Sequence, residues 1–80
     1  MADVTLSSTS SSAPQEYVPA YRVNKLINRD AAITIYVKGP KATANYTTIP
    51  PGESHIVSFP KLLIYSASGT PTLAVNEAGD

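Results

Sequence analysis

The sequence has no cysteine, no tryptophan, one phenylalanine, one methionine and one histidine. Without cysteine there are no disulfides and no thiolate metal sites, and a single histidine cannot build an ordinary zinc site. The four glycines (Gly39, Gly52, Gly69 and Gly79) stand alone, so no glycine-rich loop cradles a phosphate. No run approaches the roughly 20 apolar residues that a membrane-spanning helix needs. The first residues, Met1-Ala2-Asp3-Val4, lack the basic region and apolar run of a secretory leader. The expectation is a soluble chain made in a cytoplasm, with no membrane contact.

Catalytic patterns are equally scarce. The six acidic residues are scattered, so no pair of carboxylates is set up for acid–base work. His55 has Glu53 two positions before it, on the same face of a strand, and Ser54 and Ser58 beside it. No G-x-S-x-G elbow accompanies them, and the bland reading is a polar pair next to a turn. The expectation is a protein that is not an enzyme and carries no cofactor or metal.

What remains is a small chain that must hold itself together by apolar packing. Eighty residues make one domain. A domain this small buries only about 60% of its surface and often leans on a partner. Net charge is zero, but it is unevenly placed. All six basic residues lie between positions 22 and 61, opposed there only by Asp30 and Glu53, which leaves that segment at +4. Asp3, Glu16, Glu77 and Asp80 leave the ends at −4. Such a split serves solubility, or lets the acidic ends of one copy meet the basic middle of another.

The middle of the chain reads as short strands. In Ile33-Thr34-Ile35-Tyr36-Val37 the branched residues share one face and Thr34 and Tyr36 the other, which is the period of a half-buried strand. Pro50-Pro51-Gly52-Glu53 is a turn, with Pro51 presetting φ at its second position and Gly52 free to take positive φ at its third. Further strands are expected at 21–27 (with Tyr21, Val23 and Ile27 on one face, or else a helical turn), 43–49, 54–59, 62–65 and 72–76. Residues 62–65 are apolar on both faces and so belong inside a sheet. Turns every six to twelve residues point to an all-β body, a small antiparallel β-sandwich or barrel of five to six short strands over 21–80.

Residues 1–20 read differently. Ser7-Ser8-Thr9-Ser10-Ser11-Ser12 is low in complexity, and Pro14 and Pro19 follow. Such a stretch buries too little apolar surface to offset its chain entropy. It is expected to be an extended N-terminal arm that gains order on another molecule, with Val4, Leu6, Tyr17, Val18 and Tyr21 as its partner-binding anchors. Tyr36, Tyr46, Lys38 and Lys41 mix stacking and basic groups, as single-strand nucleic-acid binders do. Zero net charge argues against nucleic acid as the partner.

Four segments together resemble a class of small tailed-bacteriophage virion proteins. They are Ile33-Thr34-Ile35-Tyr36-Val37, Thr48-Ile49-Pro50-Pro51-Gly52-Glu53-Ser54, Leu63-Ile64-Tyr65-Ser66-Ala67-Ser68-Gly69-Thr70 and Thr72-Leu73-Ala74-Val75. The resemblance spans roughly residues 24–77 and leaves the serine-rich stretch outside it. It implies a non-enzymatic structural component of a phage particle, foremost a capsid decoration or cement protein, and after that a neck or tail accessory. Its partners would be the major capsid protein or other virion proteins, or further copies of itself on the lattice. Its final place would be the virion.

Overall fold

Short runs with a period of two cannot bury their apolar side alone, so they must fold back on one another. The computed structural model describes residues 2–41 and 45–78, and these form eight strands and no helix. They are β1 (Ala2–Thr5), β2 (Gln15–Tyr17), β3 (Asn24–Asn28), β4 (Ile35–Lys38), β5 (Thr47–Ile49), β6 (Ser54–Val57), β7 (Leu62–Ser66) and β8 (Thr72–Glu77). Two antiparallel four-stranded sheets result, in the orders β1-β8-β3-β6 and β2-β7-β4-β5.

The pairing has a simple logic. β1 pairs with β8, β2 with β7, β3 with β6 and β4 with β5, all antiparallel. The chain is therefore one long hairpin folded about the segment near Gly39 and Pro40. Wrapping that hairpin on itself adds the pairs β3–β8 and β4–β7. The strand order is that of a jelly roll, whose two sheets face each other across one core. Leu26, Val57, Leu73, Val75, Val4 and Leu6 come from the first sheet and its margin. Ile35, Val37, Ile49, Leu62 and Ile64 come from the second, with Tyr17 and Phe59 packed at the side.

One end of the sandwich is tied by hydrogen bonds between its crossing loops. Asn28, fully buried at the end of β3, is the hub. Its Nδ2 donates to the Ile33 carbonyl at 2.8 Å and to the Ile49 carbonyl, in the opposite sheet, at 2.9 Å. Its Oδ1 accepts from the Asp30 N–H at 3.0 Å. Its own N–H donates to the Glu53 carbonyl, and its carbonyl accepts from the Gly52 N–H. Asp30 turns the chain with Oδ2, which accepts from the N–H groups of Ala32 and Ile33. The turn at 50–53 has the expected form: the Glu53 N–H donates to the Pro50 carbonyl at 3.1 Å, and Gly52 sits at φ 76°.

Several expectations need correction. Among the described residues there are eight strands, not five to six, because β1 and β2 from residues 1–20 join the six over 21–80. The segment expected as a free arm is part of the body: β1 and β2 are edge strands of the two sheets. Val4 is 7% exposed and Leu6 is 0% exposed. The serine run between β1 and β2 is held by its own hydroxyls, which supply the bonds that a loop otherwise lacks. Ser8 Oγ donates to the Ala13 carbonyl at 2.6 Å, the Ser7 N–H to Gln15 Oε1 at 2.8 Å, and Ser10 and Ser12 hydroxyls meet at 2.8 Å. The Ser66 N–H donates to the Ser8 carbonyl, fastening the loop to β7.

The strand expected at 21–27 begins at Asn24 and presents the other face inward: Asn24, Leu26 and Asn28 are buried, while Tyr21 is exposed. The buried Asn28 amide is satisfied by the Ile33 and Ile49 carbonyls, while the Asn24 amide makes a local bond to the Tyr21 carbonyl; Val23 and Ile27 stay half-buried on the other face. Of the strand expected at 43–49 only Thr47–Ile49 is seen, and residues 42–44 lie outside the described residues. The strand at 62–65 sits inside its sheet, between β2 and β4.

Two outcomes test this arrangement. Removing residues 1–20 strips an edge from each sheet and two side chains from the core, so the remainder is expected to lose its cooperative thermal transition. A truncated chain that melts like the full one contradicts it. Asn28→Ala removes one donor from each of the Ile33 and Ile49 carbonyls and the acceptor of the Asp30 N–H, three hydrogen bonds worth about 3 kcal/mol together. That is a large share of the roughly 4–12 kcal/mol available to 80 residues. Urea unfolding of the two chains gives the difference directly, and a loss below about 1 kcal/mol would deny Asn28 its role as hub.

Candidate binding surfaces

The five anchors expected from sequence separate into two groups. Val4 and Leu6 are core residues, and the Leu6 N–H donates to the Pro71 carbonyl at 2.9 Å, so neither side chain is free to grip a partner. Tyr17, Val18 and Tyr21 stay together at the opposite end, around the β2–β3 connection. Val18 is 69% exposed and Tyr21 41%. Tyr17 and Tyr21 line a cavity of about 140 Å³ with Ala2, Ala20, Asn24 and Val75. The Asn24 amide donates to the Tyr21 carbonyl at 2.8 Å, which shapes the wall, while its Oδ1 has no hydrogen-bond partner.

A second surface lies on the outer face of the β2-β7-β4-β5 sheet. Ile35, Val37, Leu62 and Ile64 point inward, so their alternates point out. Register sets Tyr36 directly beside Tyr65, and Leu63 between Glu16 and Lys38. The Tyr36 and Tyr65 rings stack at 4.6 Å with planes 16° apart. Tyr46 meets Tyr65 edge-on at 4.8 Å and 89°. Lys38 Nζ stands 4.8 Å from the centre of the Tyr46 ring, a cation–π distance. The Tyr46 hydroxyl donates to the Ser11 carbonyl at 3.1 Å, so the serine loop borders the patch. At its far side Lys61 Nζ and Glu16 Oε1 pair at 3.3 Å. This ion pair joins the acidic start of the chain to its basic middle within one copy.

The sequence singled out Tyr36 and Tyr46, but not the stack with Tyr65, whose strand lies 29 positions along. Burial pushes the Tyr46 hydroxyl above its ordinary value of 10.0, and the neighbouring Tyr65 adds to this by charge repulsion.

His55 and Glu53 make no hydrogen bond or ion pair with one another, and both are exposed. Among the described residues no group of three metal-ligating side chains converges. The arrangement offers contact area: an aromatic cluster on a sheet face, and an exposed Val18–Tyr21 rim around a small cavity. Comparison with protein-family models, with curated proteins and with solved structures finds no match to this chain.

Titration tests the patch. With its pKa raised in the folded state, Tyr46 holds its proton more tightly folded than unfolded. The stability this contributes is complete below pH 10 and drains as pH rises through the folded value. Ultraviolet difference spectra are expected to show a late-ionising component that Tyr46→Phe removes. A titration that Tyr46→Phe leaves unchanged at its alkaline end would show that the Tyr46 hydroxyl is open to water.

Proposed function

We propose that this protein is a non-enzymatic structural component of a tailed-phage particle, foremost a decoration protein seated on the capsid shell. The observation that carries the reading is the clustering of Tyr36, Tyr46 and Tyr65 on one outer sheet face. Tyrosine gives large contact area at small entropy cost and is enriched where proteins meet. The resemblance to small virion proteins supports the same class. Its four segments fall on β4, the β5–β6 turn, β7 with its following loop, and β8. Those residues build the fold, so the resemblance bears on what kind of body this is more than on what it touches. Jelly rolls also recur among viral shell proteins, an analogy of fold alone.

Attachment on this reading is by a folded surface, not by a threaded arm. A contact of this size is weak singly. Many copies on one lattice gain through avidity, which suits a cementing role.

A second reading rests on Lys38 over Tyr46, with Lys41 close by in sequence: a basic and aromatic patch for single-stranded nucleic acid. The rings of Tyr36 and Tyr65 already stack on each other, which leaves fewer free faces for bases, and net charge is zero.

Purified particles separate the readings. The chain is expected in them at a fixed ratio to the shell protein, with immunogold label over the shell; label confined to the neck or tail would move the assignment there. Tyr36→Ser with Tyr65→Ser should fold yet fail to rebind stripped particles. Absence from purified particles, combined with retention of single-stranded DNA that weakens steeply between about 50 and 200 mM salt, would favour the second reading.

A further inference from the structure

Each sheet has two edges, and three of these four strands are guarded against pairing with another chain. β2 is three residues long, lies between Pro14 and Pro19, and carries Glu16 in its pair with Lys61. β5 is three residues long and runs into Pro50 and Pro51. β1 carries the exposed Asp3. Short length, charge and proline are the usual means of blunting an edge. β6, four residues long, has neither charge nor proline. From Ser54 to Phe59 there is no proline and no acidic or lysine or arginine side chain, and Ile56 is 59% exposed. Among the described residues no strand lies against its outer side.

The hydrogen-bond parity says which groups are left over. The Asn28 N–H donates to the Glu53 carbonyl, towards β6, while the Arg29 N–H donates to the Thr72 carbonyl, towards β8. Alternate residues of an antiparallel strand point their main-chain groups to alternate sides. Asn24 and Leu26 therefore bond β6, and their partners Val57 and His55 point back at β3. The N–H and C=O groups of Ser54, Ile56 and Ser58 point the other way, out of the sheet edge.

We propose that β6 is a homodimer edge, joining two copies antiparallel about a two-fold axis into one continuous eight-stranded sheet. The partner fits because the strand is self-complementary. With Ile56 opposite Ile56 of the second copy, the two residues exchange both main-chain bonds. Ser54 then faces Ser58 of the other copy on each side, so all the outward groups are satisfied. Ile56 projects from the outer face, since it lies beside Lys25 and opposite in sense to the buried Val57. The axis therefore brings two exposed isoleucines together. A two-fold axis perpendicular to the sheet needs residues of equal parity opposite one another, and this register meets that need. The inference stands on the edge alone and is independent of the function proposed above.

Two substitutions at one position test it. The Ile56 N–H takes no part in the ladder with β3, so Ile56→Pro removes an outward donor while leaving that ladder whole. Ile56→Lys keeps the donor and sets like charges opposite each other. Sedimentation equilibrium of the full chain, from about 10 µM to about 1 mM, spans the range for a small interface. The wild type is expected to reach twice the chain mass. Ile56→Pro should stay monomeric with an unchanged circular dichroism spectrum, and Ile56→Lys should weaken association by about tenfold. If Ile56→Pro does not fold, Ile56→Lys decides alone. Amide exchange at Ile56 should slow as concentration rises. A wild type monomeric across the range, an Ile56→Lys dimer as tight as wild type, or an Ile56 amide indifferent to concentration would overturn the proposal.

Discussion

The side chain of Asn28 leaves one sheet and ends on the main chain of the other. Its Nδ2 reaches the Ile49 carbonyl at 2.9 Å in a buried setting, and the Ile33 carbonyl at 2.8 Å. A jelly roll is a hairpin wrapped on itself, and the wrap forces the chain to cross between sheets. Each crossing brings main-chain groups inward that no ladder can pair. An asparagine amide meets that need with two donors and an acceptor on a short stem. The crossings at 29–34 and 50–53 both close on this one residue. The turn at Gly52 and the loop at Asp30 are then set by bonds to it, and Ile35 and Ile49 come to rest opposite each other in the core.

The same constraint explains the serine loop. Residues 6–14 make another crossing at this end, from β1 to β2, and they have little apolar surface to hold them. Hydroxyl groups replace it: Ser8 bonds within the loop, and its carbonyl accepts from the N–H and hydroxyl of Ser66 on β7. Leu6 then seals the core beneath. A segment that composition alone would assign to solvent becomes the closing edge of both sheets. What this leaves for contact with other molecules is the outside of the body. Its inner faces are aliphatic, while the outer face of the second sheet gathers tyrosine.

Parts of this were legible from residue order. The strand at Ile35–Lys38 follows from strict alternation, and the turn at 50–53 from the local chemistry of proline and glycine. Leu62–Ser66, apolar on both faces, sits inside its sheet as its pattern implied. All three signals are local. β1 and β2 gave no such signal, because strands of four and three residues are too short for a period to emerge and their partners lie far along the chain. β3 was read with the wrong face inward. Val23 and Ile27 have the character of core residues, and only the Ile49 carbonyl, in the opposite sheet, together with that of Ile33 accounts for a buried Asn28. Of the contact surface, Tyr17, Val18 and Tyr21 were visible as exposed-looking apolar residues. The stack of Tyr36 on Tyr65 depends on register between two strands, which composition does not carry.

Residue-resolved amide exchange on the dilute, monomeric chain tests the central claim most directly. If the first seventeen residues close the two sheets, the Leu6 amide, bonded to the Pro71 carbonyl, should exchange slowly and on the same cooperative unfolding as the Asn28 amide. Exchange of Leu6 and its neighbours at the rate of an unstructured peptide, while Asn28 stays protected, would mean that the segment is a free arm and that the account of the fold is wrong.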